Sequence, residues 1–134
     1  MNIRIADQDD KEKILKHDRH ISESELKTSI MLGRVIVMEL NNKFIGWLRW
    51  NLFWDNTPFM NMLYLLEEYR NKGYGRKLVL FWEELMKKDN YSLVMTSTLS
   101  NENAQHFYRS LNYIDSGSLL LKGEALEIIF TKEL

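Results

Sequence analysis

Residues 69–78, YRNKGYGRKL, carry two glycines one residue apart, four basic side chains and no acidic one. They lead into an amphipathic run, LVLFWEELMKK. The amino end of a helix already carries partial positive charge, and each cation placed there is unfavourable by roughly 0.3–1 kcal/mol. A bound polyanion reverses that sign, because the free N–H groups and the helix dipole both point at it. Gly73 and Gly75 allow unusual backbone dihedrals and close approach of a ligand. The segment therefore suits phosphate, with a solvated basic turn as the plain alternative. A Walker-type loop would need Gly-Lys-Ser/Thr, but Gly75 is followed by Arg76 and Lys77. A dinucleotide fingerprint would need a third glycine, where Leu78 stands.

A second stretch with chemical content is NENAQHFYRSLNY, residues 101–113. Its Tyr108 bears a phenol, with an ordinary pKa of about 10. At neutral pH such a group is protonated and can act as a proton donor. The bland alternative is a packed helical tyrosine whose hydroxyl finds some partner.

Arg70-x-x-Gly73-x-Gly75, between a strand and a helix, resembles the acetyl-CoA pyrophosphate loop of the GNAT-type N-acetyltransferase superfamily. Residues 101–113 resemble that family's second motif: Asn101, Ala104, Phe107, Tyr108 and Tyr113 match, and Asn112 stands where glycine is usual. Asparagine tolerates a left-handed helix end, so the turn can survive. The order of elements fits the family along nearly the whole chain. The resemblance implies that the backbone of Arg70, Asn71, Lys72, Gly73, Tyr74, Gly75 and Arg76 cradles the CoA pyrophosphate. It implies that the strand edge at Leu63 to Leu65 bonds the pantetheine arm, that Asn101 touches that arm, and that Tyr108 lies near the thioester sulfur. An amine would attack the acetyl carbonyl directly in a ternary complex, and Tyr108 would protonate the departing thiolate. Acetyl-CoA is then the cosubstrate, and the acceptor is a small-molecule, peptide or protein amine. A non-catalytic acyl-CoA-binding or regulatory module of the same fold is the alternative.

Many relatives carry a glutamate on the strand before the loop. Here that strand, FMNMLYLL, has no acid before Glu67 and Glu68. Glu127, flanked by apolar residues in LEII, is the leading candidate to accept the amine proton; an outward-facing edge residue is its bland alternative. Glu39 and Asp55 are further options.

These residues need a scaffold, and the apolar patterning supplies one. NIRIA reads as a strand, DQDDKEKILKHDRH and SESELKTSIML as helices, the second capped by Ser22 or Ser24 and ended by Gly33. RVIVMEL and KFIGWLRWNLFW flank Asn41-Asn42 as a hairpin. FMNMLYLL is apolar on both faces, as a central covered strand would be. In the long helix Leu78, Phe81, Trp82 and Leu85 form the inner stripe, and Glu83 with Lys87 and Glu84 with Lys88 pair on the outer face. YSLVMTST is a strand, residues 101–111 a short helix, and the rest a closing hairpin. The expectation is a single domain over residues 1–134, an α/β fold with a mixed, mostly antiparallel sheet flanked by helices. Most of Trp47, Trp50, Phe53, Trp54 and Phe59 should be core.

The 134 residues carry 18 basic and 19 acidic side chains, net −1, so no basic field argues for nucleic acid. Cysteine is absent, which excludes disulfides and thiolate chemistry. His17 and His20 share a helix face near Asp10, too few ligands for a metal site. No apolar run reaches bilayer length and the polar start is no secretory signal, so the expectation is a cytoplasmic protein without membrane contact. A homodimer is left open.

Overall fold

Three of the four helices end in the same way, and those endings set where the strands begin. In the computed structural model, which describes all of residues 1–134, α2 (Glu23–Met31) stops at Gly33 with φ 73°. The Gly33 and Arg34 N–H groups turn back to the Ile30 and Ser29 carbonyls at 3.0 and 2.9 Å. Asn90, φ 66°, ends α3 (Tyr74–Lys88), with Asn90 and Tyr91 donating to Lys87 and Met86. Asn112, φ 71°, ends α4 (Ala104–Ser110), with Asn112 and Tyr113 donating to Arg109 and Tyr108. Each is a left-handed cap that satisfies carbonyls the last turn would leave open.

The seven strands are β1 (Asn2–Ile5), β2 (Val35–Leu40), β3 (Lys43–Phe53), β4 (Thr57–Leu65), β5 (Leu93–Leu99), β6 (Ile114–Leu119) and β7 (Glu127–Glu133). They form one sheet in the order β1-β2-β3-β4-β5-β7-β6. The β1–β2, β2–β3, β5–β7 and β6–β7 pairs are antiparallel, and β4–β5 is parallel. The expected mixed, mostly antiparallel α/β sheet is present, and β4, apolar on both faces, is its middle strand. Asn41 and Asn42, φ 52° and 65°, make the tight β2–β3 turn that asparagine accepts at two left-handed positions.

Two compact units are distinguished: residues 1–51 with 62–82, and residues 52–61 with 83–134. In the first, Ala6, Ile14, Leu26, Ile30, Val35, Val37 and Trp47 form a core, with Phe44, Met62 and Tyr64 packed against it. Val35 to Met38 are all fully buried, so β2 is covered on both faces. The first helix is shorter than its sequence pattern: a 3-10 turn over Gln8–Asp10 precedes α1, Lys11–Leu15. Beyond it the chain is held by a long-range pair instead of a further turn. Arg49 Nε and Nη2 donate to the two Asp18 oxygens at 2.7 and 3.3 Å, and the His20 N–H also donates to Asp18. Asp10 is taken by Arg4, at 2.8 and 2.9 Å, and by the Asp7 N–H, while the His17 ring lies against Tyr64.

In the second unit, Phe130 is fully buried and lies against Tyr108. Of the aromatic group expected in the core, Trp47 and Trp50 are buried and Phe53 and Phe59 half-buried, but Trp54 is 80% exposed. The chain turns there, with φ 54° at Trp54 and 63° at Asp55, so the strand alternation that would have buried it has ended.

Candidate functional site

The glycine loop is built from the end of β4. Leu63 and Leu65, both half-buried, lie on that strand, and β3 approaches it closely. A Cβ on Gly46 would lie 2.5 Å from the Tyr64 carbonyl oxygen and 2.6 Å from Leu65 Cδ2, so only glycine fits. The Leu66 N–H then donates to the Ile45 carbonyl at 2.8 Å, and a 3-10 turn, Glu67–Tyr69, carries exposed Glu67 and Glu68 to the loop entrance.

Within the loop the left-handed residues are Asn71, φ 60°, and Gly73, φ 87°. The expectation that Gly75 shares this role is corrected: α3 starts at Tyr74, so Gly75 lies in its first turn. The Lys77 N–H donates to the Gly73 carbonyl at 3.3 Å, which opens the helical ladder of α3. The N–H groups of Tyr74, Gly75 and Arg76 therefore belong to the set that a helix start leaves without intrahelical partners. The Arg70 side chain, though exposed, folds back on β4: Nε donates to the Leu65 carbonyl at 2.8 Å and Cζ lies 5.0 Å from the centre of the Tyr64 ring. Lys72, Arg76 and Lys77 are exposed, and no ion pair of the structure includes them.

In the second unit, Asn101 is exposed in the turn after β5. Tyr108 is 6% exposed on α4, with Phe107, Tyr113 and Phe130 ring centres at 5.2, 5.7 and 6.0 Å. Burial pushes its phenol up to about 12, against an opposing hydrogen bond with the Thr96 side chain. Thr96 itself donates to the Met60 carbonyl at 3.0 Å. Glu127 opens β7 opposite Leu99 and is half-buried. β7 lies between β5 and β6, so Glu127 is not on a sheet edge. Glu127 and Phe130 are three residues apart on a strand whose pairing with β5 is continuous, so their side chains lie on opposite faces. Glu127 and Tyr108 thus belong to different faces of the sheet. Glu39 accepts from Arg4 at 2.9 Å and Asn2 at 3.2 Å, and these contacts, Arg4 first, hold its carboxyl below the usual range. That is the reverse of what a base needs. Asp55 is exposed in the β3–β4 turn.

One charged residue departs from its expected place. Glu83 is not on the outer face of α3; it is 4% exposed, accepts from the Tyr113 hydroxyl at 2.8 Å and from Lys132 Nζ at 2.8 Å. Lys87 pairs with Glu84 instead. The sequence holds a signal for this: Val79, Glu83 and Met86 fall at helical spacing, and all are buried. Burial, with Glu83 beside it, pushes the Tyr113 phenol well above its ordinary value.

Residues 4–113 match the model of the acetyltransferase (GNAT) family. The chain belongs to this family. It is similar to a GNAT family acetyltransferase from Bacillus cereus ATCC 10987, at 25% identity and TM-score 0.79, over 98% of this chain and 96% of that one. The PaiA N-acetyltransferase from Thermoplasma acidophilum, solved with coenzyme A, shares the fold at TM-score 0.81 and 17% identity, over 99% and 98% of the two chains. A ribosomal-protein-alanine N-acetyltransferase from Brucella melitensis shares it at TM-score 0.80 and 17% identity, over the full length of both. No curated protein matches the chain. No helix is long and apolar enough to cross a membrane.

The left-handed cap at Asn112 makes a direct prediction. Asn112→Gly should leave stability unchanged within about 1 kcal/mol, whereas Asn112→Val should lower it by about 1–2 kcal/mol, the penalty of a left-handed residue with a branched side chain. Urea unfolding of the three proteins measures the difference.

Proposed function

We propose that this chain, as a single N-acetyltransferase domain over residues 1–134, moves the acetyl group of acetyl-CoA to a primary amine by direct attack. The observation that carries this reading is the start of α3: left-handed Asn71 and Gly73, free helix N–H groups behind them, and exposed Lys72, Arg76 and Lys77. Together they suit phosphate, and a neighbour of the same fold solved with coenzyme A supports CoA as the carrier of that phosphate. The N–H groups from Asn71 to Arg76 hold the pyrophosphate, and the three cations neutralise it. Arg70, whose N–H is taken by the Glu67 carbonyl at 3.2 Å, braces the loop against β4. Leu63 and Leu65 offer main-chain groups to the pantetheine arm, and Asn101 offers its amide.

The amine nitrogen forms a bond to the acetyl carbon while the carbon–sulfur bond breaks. Starting from an ammonium, nitrogen loses two protons, one before attack and one as the amide forms; sulfur gains one from Tyr108, whose phenolate is reprotonated by the second, and the first leaves to solvent. Tyr108 supplies the proton to sulfur, and its high pKa keeps that proton in place across the whole neutral range. An alkyl ammonium, with pKa near 10, must first lose a proton to attack. Glu127 lies on the sheet face opposite Tyr108 and is the carboxylate proposed to receive it through water, not by direct contact with the acetyl centre. The acceptor is a small-molecule, peptide or protein amine.

A panel of amines, read by release of free thiol from acetyl-CoA, tests the reading. Saturable acetyl-CoA binding with no thiol release from any amine would point to a non-catalytic module. With an active amine, Tyr108→Phe should lower turnover about 10²–10⁴-fold and leave acetyl-CoA affinity unchanged, because the lost interaction belongs to the transition state. Wild-type turnover should show no alkaline decline up to pH 10, since a donor at about 12 stays protonated there. Glu127→Gln should weaken amine use most at low pH and recover toward high pH, where free amine is abundant. A uniform loss at every pH would remove Glu127 from the proton path.

A further inference from the structure

Tyr108 and Tyr113 are joined twice where α4 ends. The Tyr113 N–H donates to the Tyr108 carbonyl at 3.1 Å, and the two rings meet edge to face with centres 5.7 Å apart and planes at 68°. Tyr113 is 2% exposed and its hydroxyl is tied in turn to Glu83 Oε2 at 2.8 Å. The other Glu83 oxygen accepts from Lys132 Nζ at 2.8 Å, and that ammonium lies 5.5 Å from the centre of the Tyr113 ring. Tyr108 also meets Phe107 and Phe130, and the Arg109 guanidinium lies over Phe130 at 5.6 Å. Arg109 is itself pinned by Asp115 through two bonds of 2.9 Å. Of the three rings that meet Tyr108, two, Tyr113 and Phe130, each lie against a charged group.

The Glu83–Lys132 pair is 5% and 17% exposed. A buried ion pair seldom outdoes apolar residues of the same volume in stability, so a buried carboxylate in the apolar stripe of α3 calls for another role. What it does geometrically is fix the far end of Tyr113. The hydroxyl of a tyrosine is its atom farthest from the backbone, so any tilt of the Tyr108 ring displaces the phenol proton more than any other part of the side chain. Tyr113 is one wall against that tilt, beside Phe107, Phe130 and the Thr96 hydrogen bond to the Tyr108 hydroxyl, and Glu83 holds the far end of Tyr113.

We infer that Glu83 is a positioning residue for acetyl transfer: through the hydroxyl of Tyr113 it fixes the ring of Tyr108, and with it the place from which Tyr108 donates its proton. The inference rests on the proposed role of Tyr108 as donor. It assigns no contact between Glu83 and either substrate. Tyr113→Phe, which removes one oxygen and keeps the ring, should free the wall while preserving the packing. Glu83→Ala should do so more completely. Glu83→Gln keeps an oxygen that can accept from Tyr113.

Steady-state kinetics of these variants, made in the wild-type chain and again in the Tyr108→Phe chain, test the inference. In the wild-type background Tyr113→Phe and Glu83→Ala should lower kcat about ten-fold with KM for acetyl-CoA unchanged, the scale of a small displacement of a reacting group. Glu83→Gln should retain most of the turnover. In the Tyr108→Phe background none should cause a further loss, because no phenol proton remains to be misplaced. An equal ten-fold loss in both backgrounds would mean general damage and would overturn the inference, as would full turnover in Tyr113→Phe. If Tyr108→Phe itself kept full turnover, the donor role would fall and the inference with it. That outcome is distinct from a damaged Tyr108→Phe beside an intact Tyr113→Phe, which removes the inference alone. Should Glu83→Ala fail to fold, Tyr113→Phe and Glu83→Gln still separate these outcomes.

Discussion

Everything proposed for this chain depends on backbone N–H groups left without helical partners where α3 begins. A helix cannot satisfy its first donors internally, and the sequence here does nothing to cap them with an acidic side chain. It surrounds them with Lys72, Arg76 and Lys77 instead. Two features force the chain to present those donors. Asn71 and Gly73 turn it through left-handed backbone, and the absence of a side chain at Gly46 lets β3 close on the end of β4. The loop is thus supported from behind by packing and open in front.

The second unit meets a different constraint. In the donor role proposed for it, the Tyr108 phenol must be kept protonated and kept in place. Burial does the first, pushing Tyr108 up to about 12. The end of α4 bears on the second: a left-handed Asn112 returns the chain so that the Tyr113 ring meets the Tyr108 ring edge to face. Asparagine serves where glycine is usual in the motif because its short polar side chain tolerates that backbone region. The same device closes α2 at Gly33 and α3 at Asn90, so one local rule recurs at three helix ends.

Much of this is legible in the sequence because it is local. The order of all seven strands and four helices follows from apolar period and turn residues, as do the Asn41-Asn42 hairpin, the Ser22 cap, whose side chain accepts from the Glu25 N–H at 3.2 Å, and the central place of β4. Where pattern and structure part, most often the cause is a partner distant in the chain. The one-turn rule pairs Glu83 with Lys87, but its partner is Lys132 of β7. The helical pattern runs past Leu15, but Asp18 is taken by Arg49 of β3. Alternation places Trp54 in the core, yet alternation does not carry into a turn of left-handed residues. The need for glycine at position 46 rests on the closeness of a neighbouring strand, which no single-strand pattern reports.

Amide hydrogen exchange across Asn71–Arg76, with and without saturating acetyl-CoA, tests the central claim most directly. If these N–H groups hold the pyrophosphate, acetyl-CoA should slow their exchange strongly, and acetyl-pantetheine, which lacks the pyrophosphate, should not. Saturable acetyl-CoA binding that leaves exchange across this segment unchanged would contradict the account.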